Sequence, residues 1–304
     1  MIKTGKLSRQ SLNKQDVMDG LRLLAPGLLI IGILSVLPVL FTFILSFTDA
    51  TLSSLIPKNF VWFKNYIAFL QSSQFWAATW RTVYFTVVSV GLELIIGLAI
   101  ATLIHSKPAG WRFLRTSLII PWAVPTIVNG AMWRWIYNAD YGALNGILYS
   151  LGLIEKYQAW LTKPFTALNL VIIADIWHSV PFIAIILQAA LAVIPHEVEE
   201  AAAVDGANAW QRFLFIRLPL LRSAILVALI VRTVEAFRVF DIIYVITQGG
   251  PAFGTVTISY LTYLESFTYG KMGSGSALSF LISVFTLVMA LIYIKFLYRP
   301  ESRA

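Results

Sequence analysis

The ionisable side chains with the most chemistry to offer lie inside long apolar runs. Arg232, Glu235, Arg238 and Asp241 follow one another at three-residue intervals with alternating sign, and an earlier run carries Asp175, His178 and Ser179 ahead of Pro181. Polar groups at membrane depth are costly and face protein or water. The four-residue ladder sums to zero charge, and each member can pair with the next on one helix. Self-neutralisation with helix packing and a role in a path for polar solutes both fit. Three-residue steps drift around a helix, so the ladder is not expected to aim all four groups at one cavity. Glu93, alone in its run, is expected to pair with an intramembrane Arg.

Other chemistries find no residues to carry them. Gly5-Lys6 and Gly270-Lys271 are followed by Leu and Met, so no phosphate loop is encoded. His105, His178 and His196 lack metal-ligand spacing. Ser274 or Ser276 with His178 gives no basis for a serine hydrolase; Gly273 to Ser276 reads as a tight start to the last helix. The chain has no cysteine, which removes disulfides and thiolate sites. No basic helix or aromatic platform speaks for nucleic acid.

The elements that hold these groups are membrane helices. Hydrophobic residues make up 58% of the chain and charged ones 12%, with a mean hydropathy of +0.77. Six runs approach the ~20 residues needed to span a bilayer: about 26–47, 82–104, 114–137, 168–194, 220–247 and 277–297. Lipid offers no partners to backbone groups, so these must be helices, in an all-α polytopic fold. The partition expected is a cytoplasmic segment 1–25, one transmembrane domain 26–297 and a cytoplasmic tail 298–304. Placing the N-terminus inside puts Lys3, Lys6, Arg9, Arg22, Lys107, Arg112, Arg115, Arg212, Arg217 and Arg222 on the inner side. Fewer cations lie outside, among them Lys58, Lys64, Arg81, Arg134 and Lys156, so both ends are expected in the cytoplasm. The formal charge of +8 is then an orientation signal with some attraction to anionic lipid. The first run is too long, and lacks the small-residue cleavage pattern, for a removed signal. Pro38, Pro121, Pro125 and Pro181 are positioned to kink their helices.

Between the fourth and fifth runs lies a built cytoplasmic loop, 195–219. A helix through Glu199, Glu200, Ala201 and Ala202 runs past Asp205 into Gly206, the residue suited to a left-handed helix end. Asn208 with Gln211 forms a capping box for a second helix, on which Trp210, Phe213 and Leu214 share a face. Pro219 is expected to stop that helix and open the next. Too polar to span and too apolar on one face for water, this unit is expected to dock in a protein groove.

The spacing Glu200-Ala201-Ala202, three residues, Gly206, nine residues, Ile216-Arg217-Leu218-Pro219 is similar to the signature loop of permease subunits in bacterial binding-protein-dependent ABC importers. The segments Phe60–Tyr66, Phe75–Thr86, Pro121–Tyr141 and Phe237 through Pro251 resemble the carbohydrate branch of that family, nearest to the first permease of maltose- and trehalose-type systems. The resemblance implies six transmembrane helices of the type I importer fold and no catalysis on this chain. It implies a second permease, a pair of ATPase subunits holding ATP and Mg, an external sugar-binding protein and a sugar substrate. It also implies ATPase coupling through Glu199, Glu200, Ala201, Ala202, Asp205, Gly206, Trp210, Phe213 and Pro219.

A substrate pathway is implied at Asp175, His178, Ser179 and Phe182 on one helix and at Arg232 and Ala236 on another, with Glu235 and Arg238 beside them. Carboxylate and guanidinium groups would bond sugar hydroxyls in pairs, and Phe182, Trp177 or Phe240 could stack on a pyranose face. A self-sufficient carrier using Asp175, His178 or Glu235 as proton sites is the competing class; it leaves the loop without a purpose. A glycerol-phosphate-type solute would give Arg232 and Arg238 a direct role as cations. A non-conducting scaffold is a third class.

Overall fold

Several of the apolar helices are distorted at or just ahead of a proline. The computed structural model describes residues 14–54, 56–57 and 59–297. The expected tail 298–304 and residues 1–13 of the expected N-terminal segment lie outside the described residues, as does Lys58. Helix α1 (Lys14–Ile31) passes through a π-helical turn, Gly32–Val36, into α2 (Leu37–Ser46). Pro38 follows that turn, and its missing N–H and bulky ring would collide with a regular ladder at Leu34; widening the turn there avoids the clash. The same solution recurs at Phe213–Arg217 ahead of Pro219.

Helices α3 (Lys64–Leu70) and α4 (Ser73–His105) follow, α4 started by the Ser72 hydroxyl, which accepts from the Phe75 N–H. The third apolar run forms three pieces, α5 (Trp111–Ser117), α6 (Ile119–Ala123) and α7 (Thr126–Ile136). Val124 and Pro125 are extended between α6 and α7, as a residue before proline and the proline itself favour. After α8 (Ala143–Ser150), the long α9 (Pro164–Leu191) carries Pro181 without interruption. The helices of the loop 195–219 are α10 (His196–Val204), α11 (Ala209–Arg212) and α12 (Leu218–Leu220). The fifth run divides into α13 (Arg222–Phe237) and α14 (Asp241–Ile246); α15 (Ile258–Tyr263) and α16 (Met272–Leu297) are the last helices among the described residues.

Among the described residues four helices are long and apolar enough to cross a membrane, or five if the bent pair 209–220 and 222–246 counts as one span. The sixth expected crossing is the segmented run 111–136. Pro219 does not stop its helix as expected: the π turn absorbs it, and the chain turns 65° at Leu221 instead.

The core is the pairing of α4 with α9. Without a hydrophobic force between helices in lipid, close approach and dispersion hold such a pair. Gly97 permits it, since a Cβ there would meet Ile183 Cγ2 at 2.8 Å and the Ala184 backbone nitrogen at 3.3 Å. Phe75, Phe85, Val171, Ile172, Ile183 and Leu187 are buried along the seam. Glu93 lies one turn from Gly97 on this close-packed side and has no exposed surface.

Candidate functional site: a charged cavity joined to a capped loop

Asp175, His178, Ser179 and Phe182 recur on α9 at helical spacing and all face one cavity of ≈ 290 Å³. The opposite wall comes from α13, α14 and the break between them: Arg232, Glu235, Arg238, Val239, Phe240 and Asp241. Trp122, Thr126 and Asn129, from α6 and α7, close the third side.

All four ladder residues therefore line one cavity, contrary to the drift expected of a straight helix. The helix stops at Phe237, with Arg238 at φ −99° and Phe240 at φ −139°, and restarts at Asp241, which resets the facing of the charges. The Val239 carbonyl freed by this break accepts from the Thr257 hydroxyl at 3.1 Å. Only the first step of the ladder pairs as expected, Arg232 Nη1 donating to Glu235 Oε2 at 2.7 Å. Asp241 instead accepts from the Thr126 hydroxyl at 2.8 Å, which ties α14 to the start of α7.

Arg232 is the hub of the site. Its Nε and Nη2 donate to the two oxygens of Glu93 at 2.8 and 2.9 Å, and Nη2 also reaches Asp175 Oδ2 at 3.2 Å. Glu93 has no exposed surface and the Arg232 side chain is 7% exposed, whereas Glu235 is 57% exposed. A two-point fork of this kind fixes orientation as well as charge. One guanidinium thus ties α4, α9 and α13 together at cavity depth.

His178 is set by a proline. Pro125 has no N–H to offer the carbonyl of Pro121 one turn earlier, and His178 Nδ1 lies 2.9 Å from that oxygen. A carbonyl accepts only, so Nδ1 carries the proton. Asn129 donates to the Ala174 carbonyl at 3.3 Å, and its buried Oδ1 has no partner among the described residues. Phe182 packs beside Trp122 with ring centroids 6.1 Å apart, leaving aromatic surface on the cavity wall.

One expected pathway residue is placed elsewhere. Ala236 is buried in the apolar core beside Phe237 and does not line the cavity. Trp177 packs edge-on against Trp133 at 6.1 Å. Trp122, Thr126 and Asn129 carry no signal of their own in the sequence. The Pro121/Pro125 pair, which turns their segment inward, was the available hint.

In the loop between α9 and α13, the helix end at Gly206 and the cap at Asn208 are built as the sequence predicts. Gly206 has φ +81°; the Ala207 N–H bonds Ala202 O at 2.9 Å and the Gly206 N–H bonds Ala203 O at 3.1 Å, a complete left-handed helix end. Asn208 and Gln211 exchange both capping-box bonds, at 2.8 and 2.9 Å. Trp210 stacks on Phe213 at 5.6 Å. Glu200, Ala201, Asp205, Gly206, Trp210 and Pro219 are exposed, with Ala202 and Phe213 half-buried. Glu199 turns inward, accepting from Arg217 Nε and Nη2 at 2.7 and 2.8 Å, with His105 Nε2 3.9 Å away. That fork holds its carboxyl below the usual carboxylate range, although partial burial acts the other way.

Known proteins share this architecture. Residues 93–298 match the family described as binding-protein-dependent transport system inner membrane component. The chain is 42% identical to the trehalose/maltose transport system permease protein MalF of Thermococcus litoralis, over 93% of this chain and 95% of that protein. It is 35% identical to the trehalose transport system permease protein SugA of Mycobacterium tuberculosis, over 96% and 92% of the two chains. The sulfoquinovosyl glycerol transport system permease protein SmoG of Agrobacterium fabrum is 34% identical over 93% and 92%. A chain from the crystal structure of a bacterial ABC transporter involved in import of the acidic polysaccharide alginate superposes with a TM-score of 0.81, covering 95% of this chain and 98% of that one. At 22% identity that likeness speaks to fold alone.

Proposed function

The chain belongs to the family of binding-protein-dependent transport system inner membrane components, and from that premise we propose that it forms half of the sugar path in an ATP-driven importer. The observation that carries the reading is continuity: α9 and α13, which wall the charged cavity, are the helices that run directly into the capped loop at 195–219. Displacing that loop displaces both walls at once.

In this reading the exposed residues Glu200, Ala201, Asp205, Gly206, Trp210 and Pro219, with the half-buried Ala202 and Phe213, seat in a groove of an ATPase subunit. Glu199 stiffens the seat from behind through Arg217. Nucleotide and Mg are held by the partner chains, and this chain performs no bond chemistry. A second permease supplies the other half of the cavity, and an external binding protein delivers the sugar. Closing of the ATPase pair swings the docked loop, and the permeases rock around the cavity. Both termini lie in the cytoplasm, with 26–297 as the membrane domain.

The substrate is a di- or oligosaccharide of the trehalose or maltose kind, a reading supported by the 42%-identical trehalose/maltose permease. Asp175, Ser179 and Glu235 offer acceptors to sugar hydroxyls, and Phe182 offers a face to a pyranose ring. Contacts of this kind are weak singly, as release requires.

The test is reconstitution of the assembled transporter in liposomes with an external trehalose- or maltose-binding protein. ATP-dependent accumulation of the labelled disaccharide, lost when the ATPase subunits are omitted, is expected. Proton-driven uptake by this chain alone would sink the proposal.

A further inference from the structure

Arg232 would be the obvious group to attract an anionic sugar, yet four of its five donors are already engaged by carboxylates. A guanidinium has five N–H groups, and four bonds leave this one, two to Glu93 and one each to Asp175 and Glu235. Glu93 stands behind Arg232, fully buried, and does not line the cavity. The charged groups on the wall itself are Asp175, Glu235 and Asp241 against Arg232 and Arg238, with His178 alongside. Leaving His178 aside, three carboxylates stand against two guanidinium groups on the wall, an excess of negative charge.

We propose that Asp175 and Glu235 act as an anion-excluding pair: by occupying the cavity-side donors of Arg232 they turn this half of the path into an acceptor-rich, net acidic wall that takes uncharged polyhydroxylated solutes and rejects carboxylated, sulfonated or phosphorylated ones. The inference rests on the sugar reading above and adds its charge class. Neutral hydroxyls donate to the free lone pairs of Asp175 and Glu235, whereas an anionic substituent meets unbalanced negative charge in a partly water-excluded space. At a separation of about 6 Å and an effective dielectric near 20, one unbalanced charge weakens binding on the order of 10- to 100-fold. A phosphorylated solute, which a free Arg232 would invite, is the least favoured.

The experiment measures direct binding to the assembled, detergent-solubilised transporter without the external binding protein. The probes are trehalose and a diuronic disaccharide of the same size, each followed by titration calorimetry. Trehalose is expected to bind at least tenfold more tightly; equal or tighter binding of the diuronate overturns the inference and leaves the sugar reading standing. Binding of neither probe takes down both. In Asp175→Asn with Glu235→Gln the wall changes from net negative to net positive, and the preference is expected to narrow at least tenfold or reverse. Glu235→Gln alone, at the more exposed member of the pair, is expected to move it in the same direction. An unchanged preference in a variant that still binds trehalose refutes the role of the pair. Should the double variant not assemble, the wild-type ratio and Glu235→Gln decide.

Discussion

Arg232 crosses from α13 to close a two-point fork on Glu93 of α4, with both N···O distances under 3 Å (2.8 and 2.9 Å). Removing one partner of a buried pair costs far more than the net worth of the pair, because the remaining charge is stranded away from water.

Arg232→Met strands Glu93 and also unpairs Asp175 and Glu235, and is expected to cost about 3–5 kcal/mol. Glu93→Gln leaves Arg232 with its two other carboxylates and is expected to cost clearly less. Thermal melting of the purified assembly compares them. Equal losses would show that Arg232 is not the hub.

His178 serves the Pro121 carbonyl through Nδ1. His178→Phe leaves that carbonyl with the long Val124 N–H bond of 3.4 Å alone, at a cost of about 0.5–1.5 kcal/mol. His178→Asn, whose amide nitrogen can stand near the Nδ1 position, is expected to retain most of the stability and uptake. Uptake lost equally in both variants would instead place the role of His178 at its other ring nitrogen.

The Glu199–Arg217 fork predicts a pH signature. The folded carboxylate ionises more readily than the unfolded one, so the contribution of the pair is complete above the ordinary carboxylate value near ~4.3 and vanishes as pH falls through the lower folded value. The difference in melting temperature between the wild type and Glu199→Gln should be constant from about pH 7 to 8, where His105 beside it is neutral, and should close as pH falls below the ordinary carboxylate value. A difference that shrinks between pH 7 and 8 would assign the effect to another group.

Gly206 holds φ +81° with nothing within 4 Å of where a Cβ would stand, so the cost of a side chain there is conformational alone. Gly206→Ala is expected to lose about 1–2 kcal/mol locally and to weaken coupling partially. Gly206→Pro, which fixes φ near −65°, should abolish uptake and ATPase stimulation with the chain still inserted. Normal uptake in Gly206→Pro would break the link between loop and transport.

Structure is legible in the sequence where the physics is local. Gly206 and the Asn208/Gln211 box satisfy their own backbone groups within a few residues, so their geometry follows from residue type and spacing. The break after Phe237 was illegible because Arg238-Val239-Phe240 contains no glycine or proline. Its freed carbonyl is satisfied by Thr257, eighteen residues on. The prolines gave the positions of distortion but not its form. Pro181 is carried inside α9, Pro125 breaks a run in two, and Pro38 and Pro219 follow widened turns. Glu93 could be assigned an Arg as partner, but the choice of Arg232 depends on the close approach at Gly97, a matter of packing.

The account turns on the loop at 195–219 being gripped by an ATPase. The chain contains no cysteine, so a single Val204→Cys, at a side chain 88% exposed on the end of α10, gives a unique reporter. Short-range crosslinking from that cysteine in membrane vesicles holding the assembled transporter should yield an adduct with the ATPase subunit, changing in yield when nucleotide is added. A cysteine that forms no such adduct, or is labelled only by reagents applied to the outer face, would contradict the account.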